Sequence, residues 1–322
     1  MASKVPTTMR AAVIDSFGGP EVLKLGTVPV PELDPEEVLI AVHTAGVGPW
    51  DADIRGGWWP QGSPRFPVIL GTDGSGKVAA MGSRVRRFKV ADKVYSYSWL
   101  NPKGGFYAEY VAVNSEKVAR IPKRLDLRKA GAIPTTAFTA LQGVDDALQI
   151  KRGESVIIHG ASGGVGTLAV QFAKLRGARV LATASGADGK ALVRRLGADW
   201  AVDGKQEDIV AAARRFAPEG IDAVLAFAGG NALEECIHTL RRGGRVAYPN
   251  GVEPGPEEQR TITIKTYDAI PGVREFERLN RAVDAARLKV PIAAAYPLAQ
   301  AAKAHQRLAK GHVLGKVVLK VR

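Results

Sequence analysis

The sequence predicts an α/β protein that combines a doubly wound parallel sheet with a second, mostly antiparallel β-barrel domain. Apolar strand-like runs alternate with helix-like segments between residues 155 and 249, a rhythm typical of a parallel sheet covered on both faces. The runs 156–158 and 223–226 are apolar without alternation, as expected for strands buried on both sides. Residues 9–133 instead contain short β-rich runs separated by Gly, Pro and Asn, which favours the barrel.

The local patterns predict three groups of elements. In the first region, strands are expected at 38–43, 77–80, 92–95 and 107–113. In the second, strands begin near Ser155, Arg179, Trp200, Asp222 and Arg245, and helices cover 168–176, 190–196, 208–216 and 233–241. The last region has helices at 273–288 and 298–308 and a strand at 316–321. The predicted domains are therefore 1–133, 134–270 and 271–322, the last segment returning to complete the first domain.

Length and composition indicate a soluble protein with two cores. The chain has 322 residues, of which 46% are hydrophobic and 24% charged, which argues against disorder. No apolar stretch approaches the length of a membrane span, and residues 1–9 lack the apolar segment of a signal peptide. We therefore expect a cytoplasmic location and no membrane partner.

The chain carries a formal charge of +13. Its Lys and Arg residues are spread along the sequence, so nucleic-acid binding is not favoured, and a bias toward anionic ligands is the simpler interpretation. The single cysteine, Cys236, cannot form an internal disulfide and is interpreted as a buried helix residue.

A glycine-rich turn, GASGGVGTLAVQFAK at 160–174, follows the apolar run 155–159 and leads into an amphipathic segment. Gly160, Gly163 and Gly166 lie three apart, which permits a tight turn, a close approach to a pyrophosphate, and packing of the helix on its strand. Phosphates would then bind free N–H groups at the helix N-terminus. Glycines at such turns can also serve packing alone, so the neighbouring motifs matter.

Those motifs, taken with the turn, carry a resemblance over nearly the whole chain. They read FGGPEVL at 17–23, GVGPWD at 46–51, IRG at 54–56, GTDGSG at 71–76, GGFYAEY at 104–110 and GHVLGK at 311–316. Together they resemble the medium-chain dehydrogenase/reductase superfamily, in particular its zinc-free quinone oxidoreductase branch, which includes zeta-crystallin. The resemblance implies a GroES-like catalytic domain, a Rossmann domain, an active site in the cleft between them, and a homodimer that pairs near residues 245–248.

The positions of metal ligands in zinc-dependent relatives are occupied here by other residues. Those relatives have Cys-x-x-Asp and Gly-His-Glu segments, whereas this chain has Gly48 at the cysteine place and Thr72 and Asp73 at the His and Glu places. A catalytic zinc needs about three N, S or O protein ligands, and the five histidines show no paired ligand spacing. We predict no metal.

The end of the second Rossmann strand favours NADPH. NAD enzymes usually place an acid there, whereas NADP needs that acid absent and cationic or hydroxyl partners present. The strand beginning at Arg179 ends without an acid at Ser185, and Lys190 or Arg194 can supply charge. Asp188 comes later and is interpreted as a turn residue or helix N-cap. Alternatively, Lys190 and Arg194 form a solvated helix face.

The resemblance also implies further cofactor contacts. The predicted contacts within the turn are Gly160, Ser162, Gly163, Gly164, Val165 and Gly166. Those outside it, besides Ser185 and Lys190, are Thr139, Phe227, Asn250, Gly251, Gly315 and Lys316.

The substrate pocket is predicted from aromatic and polar residues of the barrel region, and no catalytic residue stands out. The candidates are Trp50, Asp53, Trp58, Trp59, Tyr95 and Tyr107. The tryptophans offer a flat surface to a planar ring, although tryptophans also belong to cores and interfaces. Asp53 and Gly48 stand where relatives often have tyrosine and asparagine.

Three functions are compatible with these residues. The leading one is an NADPH-dependent reductase of quinones that uses no metal, because quinones accept hydride without a Lewis acid. The second reduces the C=C bond of enones, enals or enoyl thioesters, whose anions also need a proton and hydrogen-bond donors. The third is a non-enzymatic role, either crystallin-like or RNA-binding.

Overall fold

The structure is a computed structural model that describes residues 5–60, 62–257 and 259–322. These residues form a six-stranded parallel sheet, a seven-stranded mostly antiparallel sheet and a three-stranded antiparallel sheet. The predicted fold class, a doubly wound parallel sheet joined to a β-barrel domain, is confirmed. No helix in the described ranges is long and apolar enough to span a bilayer.

The N-terminal region supplies most of the antiparallel structure. Its elements are β1 (Thr8–Ile14), β2 (Lys24–Pro29), β3 (Glu37–Val47), α1 (Pro49–Gly56), β4 (Val68–Ile69), β5 (Asp73–Met81), β6 (Lys93–Tyr97), β7 (Tyr110–Asn114), β8 (Val118–Arg120) and α2 (Leu127–Gly131). The strand predicted at 107–113 starts late, because the backbone N–H of Tyr107 instead donates to Leu70 at 2.9 Å. Its partner segment between β4 and β5 therefore lies close to Tyr107.

The second region alternates helices and strands as predicted. Its elements are α3 (Pro134–Gln142), β9 (Ser155–His159), α4 (Gly166–Leu175), β10 (Arg179–Ala184), α5 (Gly186–Arg195), β11 (Trp200–Asp203), α6 (Ile209–Phe216), β12 (Ile221–Ala226), α7 (Asn231–Ile237), β13 (Leu240–Pro249) and β14 (Thr263–Tyr267). The helix predicted to reach residue 241 ends earlier, because Leu240 begins β13 and pairs with Ile221.

The six strands of this region are ordered β11-β10-β9-β12-β13-β14, and every neighbouring pair is parallel. This is the 3-2-1-4-5-6 order of dinucleotide-binding sheets, in which the chain reverses direction across the sheet between the first and fourth strands. Residues 156–158 and 223–226 are fully buried, as their unbroken apolar runs predict. The ligand crevice of such a sheet lies outside the carboxyl ends of β9 and β12.

The C-terminal region returns to the barrel. Its elements are α8 (Val273–Ala285), β15 (Ile292–Pro297), α9 (Ala301–Ala309) and β16 (Lys316–Lys320). One half of β3 pairs with β7 and the other half pairs with β16, where Thr44 lies opposite Lys320. The domain limits at 133/134 and 270/271 remain predictions.

Short helical turns also occur in the described ranges. They are the 3₁₀ helices Pro20–Val22, Ser115–Lys117 and Leu298–Gln300 and the π-helical turn Gly143–Ala147.

Candidate active site

The glycine-rich turn between β9 and α4 has the geometry that its spacing predicts. Gly160 has φ +74°, in the left-handed region that favours glycine. A Cβ atom on Gly166 would lie 2.3 Å from the Gly160 carbonyl oxygen and 2.6 Å from Ala161 Cα. Glycine at these two positions therefore permits both the tight turn and the close start of α4 against β9.

The turn also presents unpaired backbone donors. Ser162, Val165 and Gly166 have no acceptor for their backbone N–H groups within the described ranges, and no side chain caps α4. Unpaired N–H groups at a helix N-terminus attract anions. The turn therefore offers backbone donors that an anion such as a pyrophosphate can use, and its role as the cofactor site remains a prediction.

A second predicted cofactor segment lies directly against the turn. The Gly315 backbone N–H donates to the Ser162 carbonyl at 2.9 Å. Lys316 is 5% exposed, and its Cδ atom would lie 3.4 Å from a Cβ atom placed on Gly164. The barrel strand β16 thus delivers a buried lysine to the edge of the Rossmann turn.

The end of β10 has no acidic side chain, as predicted, but an acid lies on the neighbouring strand. Asp203 pairs in register with Ala184. Its Oδ1 accepts the Lys205 backbone N–H at 3.0 Å, and its Oδ2 accepts that of Gly186 at 2.9 Å. The Lys205 bond, with help from Gly186, lowers the pKa of Asp203. Oδ2 therefore braces the turn after β10 and Oδ1 the turn after β11, roles that the sequence did not reveal.

The charge of Lys190 is already paired in the structure. Its ammonium group forms an ion pair with Glu207, whose other carboxylate oxygen accepts the Asp203 backbone N–H at 2.8 Å. The role of Lys190 as a phosphate contact remains a prediction. Asp188 is not the N-cap of α5, because Ser185 holds that position. Instead, Asp188 Oδ2 lies 3.0 Å from His312 Nε2.

Phe227, which is expected near the nicotinamide, lies against the turn. A Cβ atom on Gly160 would be 3.5 Å from Phe227 Cβ. The Thr139 hydroxyl instead donates to the Thr135 carbonyl at 2.9 Å. The Asn250 amide donates to Asp268 at 2.8 Å, and Gly251 follows with φ +89°. The side chains of Thr139 and Asn250 are thus engaged with other protein groups.

Trp50 lies beside the buried lysine. A Cβ atom on Gly48 would be 2.2 Å from Trp50 Cε2, so the indole fills the side-chain space of position 48. Lys316 Nζ is 4.6 Å from the Trp50 ring centroid, a cation–π distance. The Trp50 indole N–H is buried and has no acceptor among the described residues. Trp50 therefore joins the barrel to the cofactor segment.

Sequence reasoning did not select the acid next to Trp50. Asp51 is 1% exposed. Its Oδ2 accepts the Gly48 backbone N–H at 2.8 Å, and its Oδ1 accepts the Thr72 hydroxyl at 3.1 Å. Burial raises the pKa of Asp51 to about 7, against the opposing effects of the Gly48 bond and the Lys316 charge. Asp51 is the last residue of the GPWD motif at 48–51, three residues after Gly48.

Tyr107 is a further partner of this acid. Its hydroxyl is 3.4 Å from Asp51 Oδ2 and 3.1 Å from His305 Nε2, while His305 Nδ1 is 2.8 Å from Arg55 Nη1. A guanidinium group only donates, so Nδ1 accepts and the proton of neutral His305 lies on Nε2. Burial lowers the pKa of His305 to about 3 and keeps the ring neutral. Tyr107 is fully buried, so it supports Asp51 rather than lining an open pocket.

Asp73 is a second buried acid in this region. Its Oδ2 accepts the Thr135 backbone N–H at 2.8 Å, and burial raises the pKa of Asp73 against the opposing Lys316 charge. Asp73 Oδ1, Thr135 Oγ1 and Trp50 Nε1 are three of the four buried, unpartnered side-chain N or O atoms in the described ranges. Because buried polar groups normally have partners, these three atoms make this region a candidate ligand site.

The remaining pocket candidates lie farther out. Trp58 is 51% exposed and packs edge-on against Trp99 at a centroid distance of 5.9 Å. Asp53 is exposed, and partial burial, opposed by Arg55, raises its pKa. Trp59 is half-buried against the barrel core.

Tyr95 does not belong with the other pocket candidates. It is fully buried in the core cluster that includes Phe276, and its hydroxyl donates to Asn280 Oδ1 at 2.6 Å. Both partners belong to α8. The substrate-pocket interpretation of Tyr95 is therefore corrected, because the side chain ties β6 to α8.

No group of three or more His, Cys, Asp or Glu residues within 5–60, 62–257 and 259–322 could hold a metal ion. The places expected for zinc ligands are occupied by Gly48, with the indole of Trp50 over it, by Thr72, bonded to Asp51, and by Asp73. The absence of a metal remains a prediction.

Comparisons with known proteins agree with this architecture. Residues 34–123 match the alcohol dehydrogenase GroES-like domain, and residues 196–319 match the zinc-binding dehydrogenase family model. Human quinone oxidoreductase is 33% identical over 97% of each chain. An NADPH-dependent alkenal/one oxidoreductase of Arabidopsis thaliana chloroplasts is 31% identical over 98% of this chain and 81% of its own length.

Solved structures are similar over almost the whole chain. An NAD-dependent alcohol dehydrogenase is 33% identical with a TM-score of 0.91, over 98% of this chain and 100% of that one. A mycobacterial protein complexed with NADPH is 27% identical with a TM-score of 0.86, over 97% and 100%. Fold and site thus define a dinucleotide-type oxidoreductase. The chain belongs to the medium-chain dehydrogenase/reductase superfamily, in its quinone oxidoreductase branch.

Proposed function

We propose that the protein is an NADPH-dependent quinone oxidoreductase that transfers hydride without a metal. The observation that supports this most is the contact between the donor-rich turn and the Gly315–Lys316 segment. The N–H groups of Ser162, Val165 and Gly166 would hold the pyrophosphate, and Lys316 would add a positive charge. When bound, NADPH would supply hydride, and the protein would contribute position and exclusion of water.

The choice of NADPH over NADH rests on the end of β10. No acid directly follows Ala184, Ser185 can donate to a phosphate, and Asp203 on the next strand already accepts two backbone N–H groups. The relatives include both an NADPH-dependent and an NAD-dependent enzyme by name. In steady-state kinetics we expect a lower KM for NADPH, and a clear NADH preference would contradict this part of the proposal.

Reduction of an unsaturated carbonyl is the second candidate. The unpartnered Trp50 indole N–H and the Lys316 ammonium group over the same ring suit an oxygen that gains negative charge, so they fit an enone as well as a quinone. The alkenal/one oxidoreductase among the relatives carries that activity in its name.

The two candidates differ in product, so one experiment separates them. Anaerobic oxidation of NADPH is followed with a panel of quinones and a panel of enones, and the products are identified by mass spectrometry, with metal content measured on the same sample. Hydroquinone formation by metal-free enzyme supports the proposal. Saturated carbonyl products support the second candidate, and one tightly bound zinc per chain would contradict the metal-free reaction.

A homodimer is proposed together with this function. Within the described ranges β14 pairs with β13 on one edge only, and the other edge could pair with a second copy. Light scattering should give the mass of two chains, and the mass of one chain would contradict the dimer.

A further inference from the structure

We propose that Thr72 delivers, and Asp51 stores, the proton that the acceptor takes up after hydride transfer. This inference rests on the proposed function and concerns a step that no predicted site residue explains. Hydride transfer leaves an enolate or hydroquinone anion, and that anion needs a proton donor in the water-poor interior. Asp51 and Thr72 are 1% and 3% exposed, and their oxygens are 3.1 Å apart.

The hydrogen bonds around Asp51 assign its two oxygens different tasks. Oδ2 accepts the Gly48 backbone N–H at 2.8 Å and faces the Tyr107 hydroxyl at 3.4 Å. His305 Nε2–H points at the same tyrosine oxygen, which leaves the tyrosine proton directed to Asp51. Oδ2 is thus occupied by donors, and an added proton belongs on Oδ1, where Thr72 is the partner.

Protonation of Oδ1 reverses the hydrogen bond to Thr72. In the ionised state, the Thr72 hydroxyl donates to Asp51. In the protonated state, Asp51 donates to Thr72 Oγ, and the threonine proton is released toward another acceptor. A hydroxyl that can accept from one side and donate to the other can relay a proton.

The pair lies close to the predicted cofactor turn. Gly48, which donates to Asp51, is covered by Trp50. The Trp50 ring contacts Lys316 Nζ, and the lysine side chain reaches Gly164 of the turn. The unpartnered Trp50 Nε1 and Asp73 Oδ1 fall in the same region. Gly48, Trp50 and Lys316 thus connect the Thr72–Asp51 pair to the predicted cofactor turn, and the proposal requires the acceptor to bind within reach of the Thr72 hydroxyl.

Charged groups from several elements act on Asp51. Lys316 of β16 favours its ionised form and Asp73 of β5 opposes it, while burial opposes it most and sets the pKa of Asp51 at about 7. His305 of α9 is neutral and acts through Tyr107, and Arg55 of α1 fixes the histidine tautomer. The proton store therefore exchanges protons in the neutral range.

The proposed step balances as follows. The reduced nicotinamide gives hydride, two electrons with one hydrogen, to the acceptor. The Thr72 O–H bond breaks as its proton passes to the acceptor anion, and the Asp51 Oδ1–H proton replaces it. Asp51 becomes a carboxylate beside Lys316 and takes a proton from bulk water after the product leaves. In total, one proton from water is consumed for each acceptor reduced.

Single-turnover reduction of a quinone and of an enone, measured from pH 5 to pH 9, tests this relay. For the wild type we expect the rate to fall about tenfold per pH unit above pH 7. Thr72→Val should lose about a hundredfold or more in rate, as removal of a general acid typically does, together with the solvent isotope effect, and Thr72→Ser should restore both. Ser96→Ala, which removes another buried barrel hydroxyl, is the matched control and should behave as wild type.

A second measurement does not depend on turnover. Infrared difference spectra of the cofactor-free protein should show a carboxyl group that titrates near pH 7, disappears in Asp51→Asn and shifts in frequency in Thr72→Val. Dinucleotide affinity, measured by fluorescence, should be unchanged in Thr72→Val.

A Thr72→Val variant with the wild-type rate and pH profile would overturn the relay while leaving the proposed function intact. Absence of the titrating carboxyl group would also overturn it. If the wild type binds dinucleotide but reduces no acceptor, the proposed function fails, and the delivery role of Thr72 fails with it.

Discussion

The glycine-rich turn and the buried acids of the barrel, Asp51 and Asp73, are neighbours, but their polar groups come from different parts of the chain. In the turn, polar chemistry comes from backbone N–H groups, and glycine at 160 and 166 keeps the space open. In the barrel, it comes from side chains: Asp51 and Asp73 are buried, and both face the charge of Lys316. The ligand-binding properties of the turn therefore depend on the space that its glycines leave, whereas those of the barrel depend on buried charged groups.

This difference determines how each half should fail. A change in the turn should act through steric overlap and be independent of pH. A change in the acid cluster should alter how stability and turnover depend on pH. Variants in the two halves can therefore be told apart by one pH series.

The largest expected effect concerns Asp51→Asn. The folded protein holds a proton on Asp51 between pH 4 and 7, whereas the unfolded chain has lost it, because burial raises the folded pKa from 3.8 to about 7. The contribution of this group to the unfolding free energy is thus complete below pH 4. It falls by roughly 1.4 kcal/mol per pH unit between pH 4 and 7 and is lost once the pH has risen through 7. Relative to Asp51→Asn, the wild type should lose unfolding free energy over this range in urea titrations; parallel curves would contradict it.

The next largest effect is expected for Gly166→Ala. The added Cβ atom would lie 2.3 Å from the Gly160 carbonyl oxygen, so α4 must move from β9. We expect the unfolding free energy to fall by about 2–3 kcal/mol at every pH, with dinucleotide affinity at least about tenfold weaker. Urea unfolding and fluorescence titration measure the two quantities.

Gly164→Ala is the matched control for that variant. A Cβ atom there meets other atoms at 3.4–3.6 Å, which is ordinary contact. Its stability should stay near that of the wild type. Equal destabilisation of both variants would show that the close approach at Gly166 does not govern the turn.

The smallest effect is expected for Tyr95→Phe, which tests whether Tyr95 lies outside the site around Asp51 and Asp73. The change removes one hydrogen bond to Asn280 and should cost about 1 kcal/mol of unfolding free energy. Because Tyr95 lies away from the site, kcat and KM should not change. A selective rise in KM for the acceptor would return Tyr95 to the substrate pocket.

The sequence predicted the turn well because its information is local. Gly160 and Gly166 lie on either side of one strand-to-helix junction, and their spacing alone implies the close approach that the structure contains. Ser185 is likewise predictable as the residue after a strand. Such features depend on backbone geometry within a few residues.

The contacts around Asp51 could not be predicted from local sequence in the same way. Asp51, Tyr107 and His305 come from three distant parts of the chain and meet only after α9 packs on the barrel. The pairing of Lys190 with Glu207 depends on how the ends of β10 and β11 align. Tyr95 is an aromatic residue whose pattern fits a pocket and a core equally, and only packing against α8 decides between them.

The shared edge of β3 has a consequence for the order of synthesis. β16 completes the sheet beside β3, yet it is translated after every strand of the parallel sheet. The contiguous segment that forms the parallel sheet can therefore fold on the ribosome first. Until β16 is synthesised, the edge of β3 that pairs with it stays unpaired. Lys316 is the first residue of β16, so the buried lysine takes its place only when β16 pairs with β3 and completes the sheet.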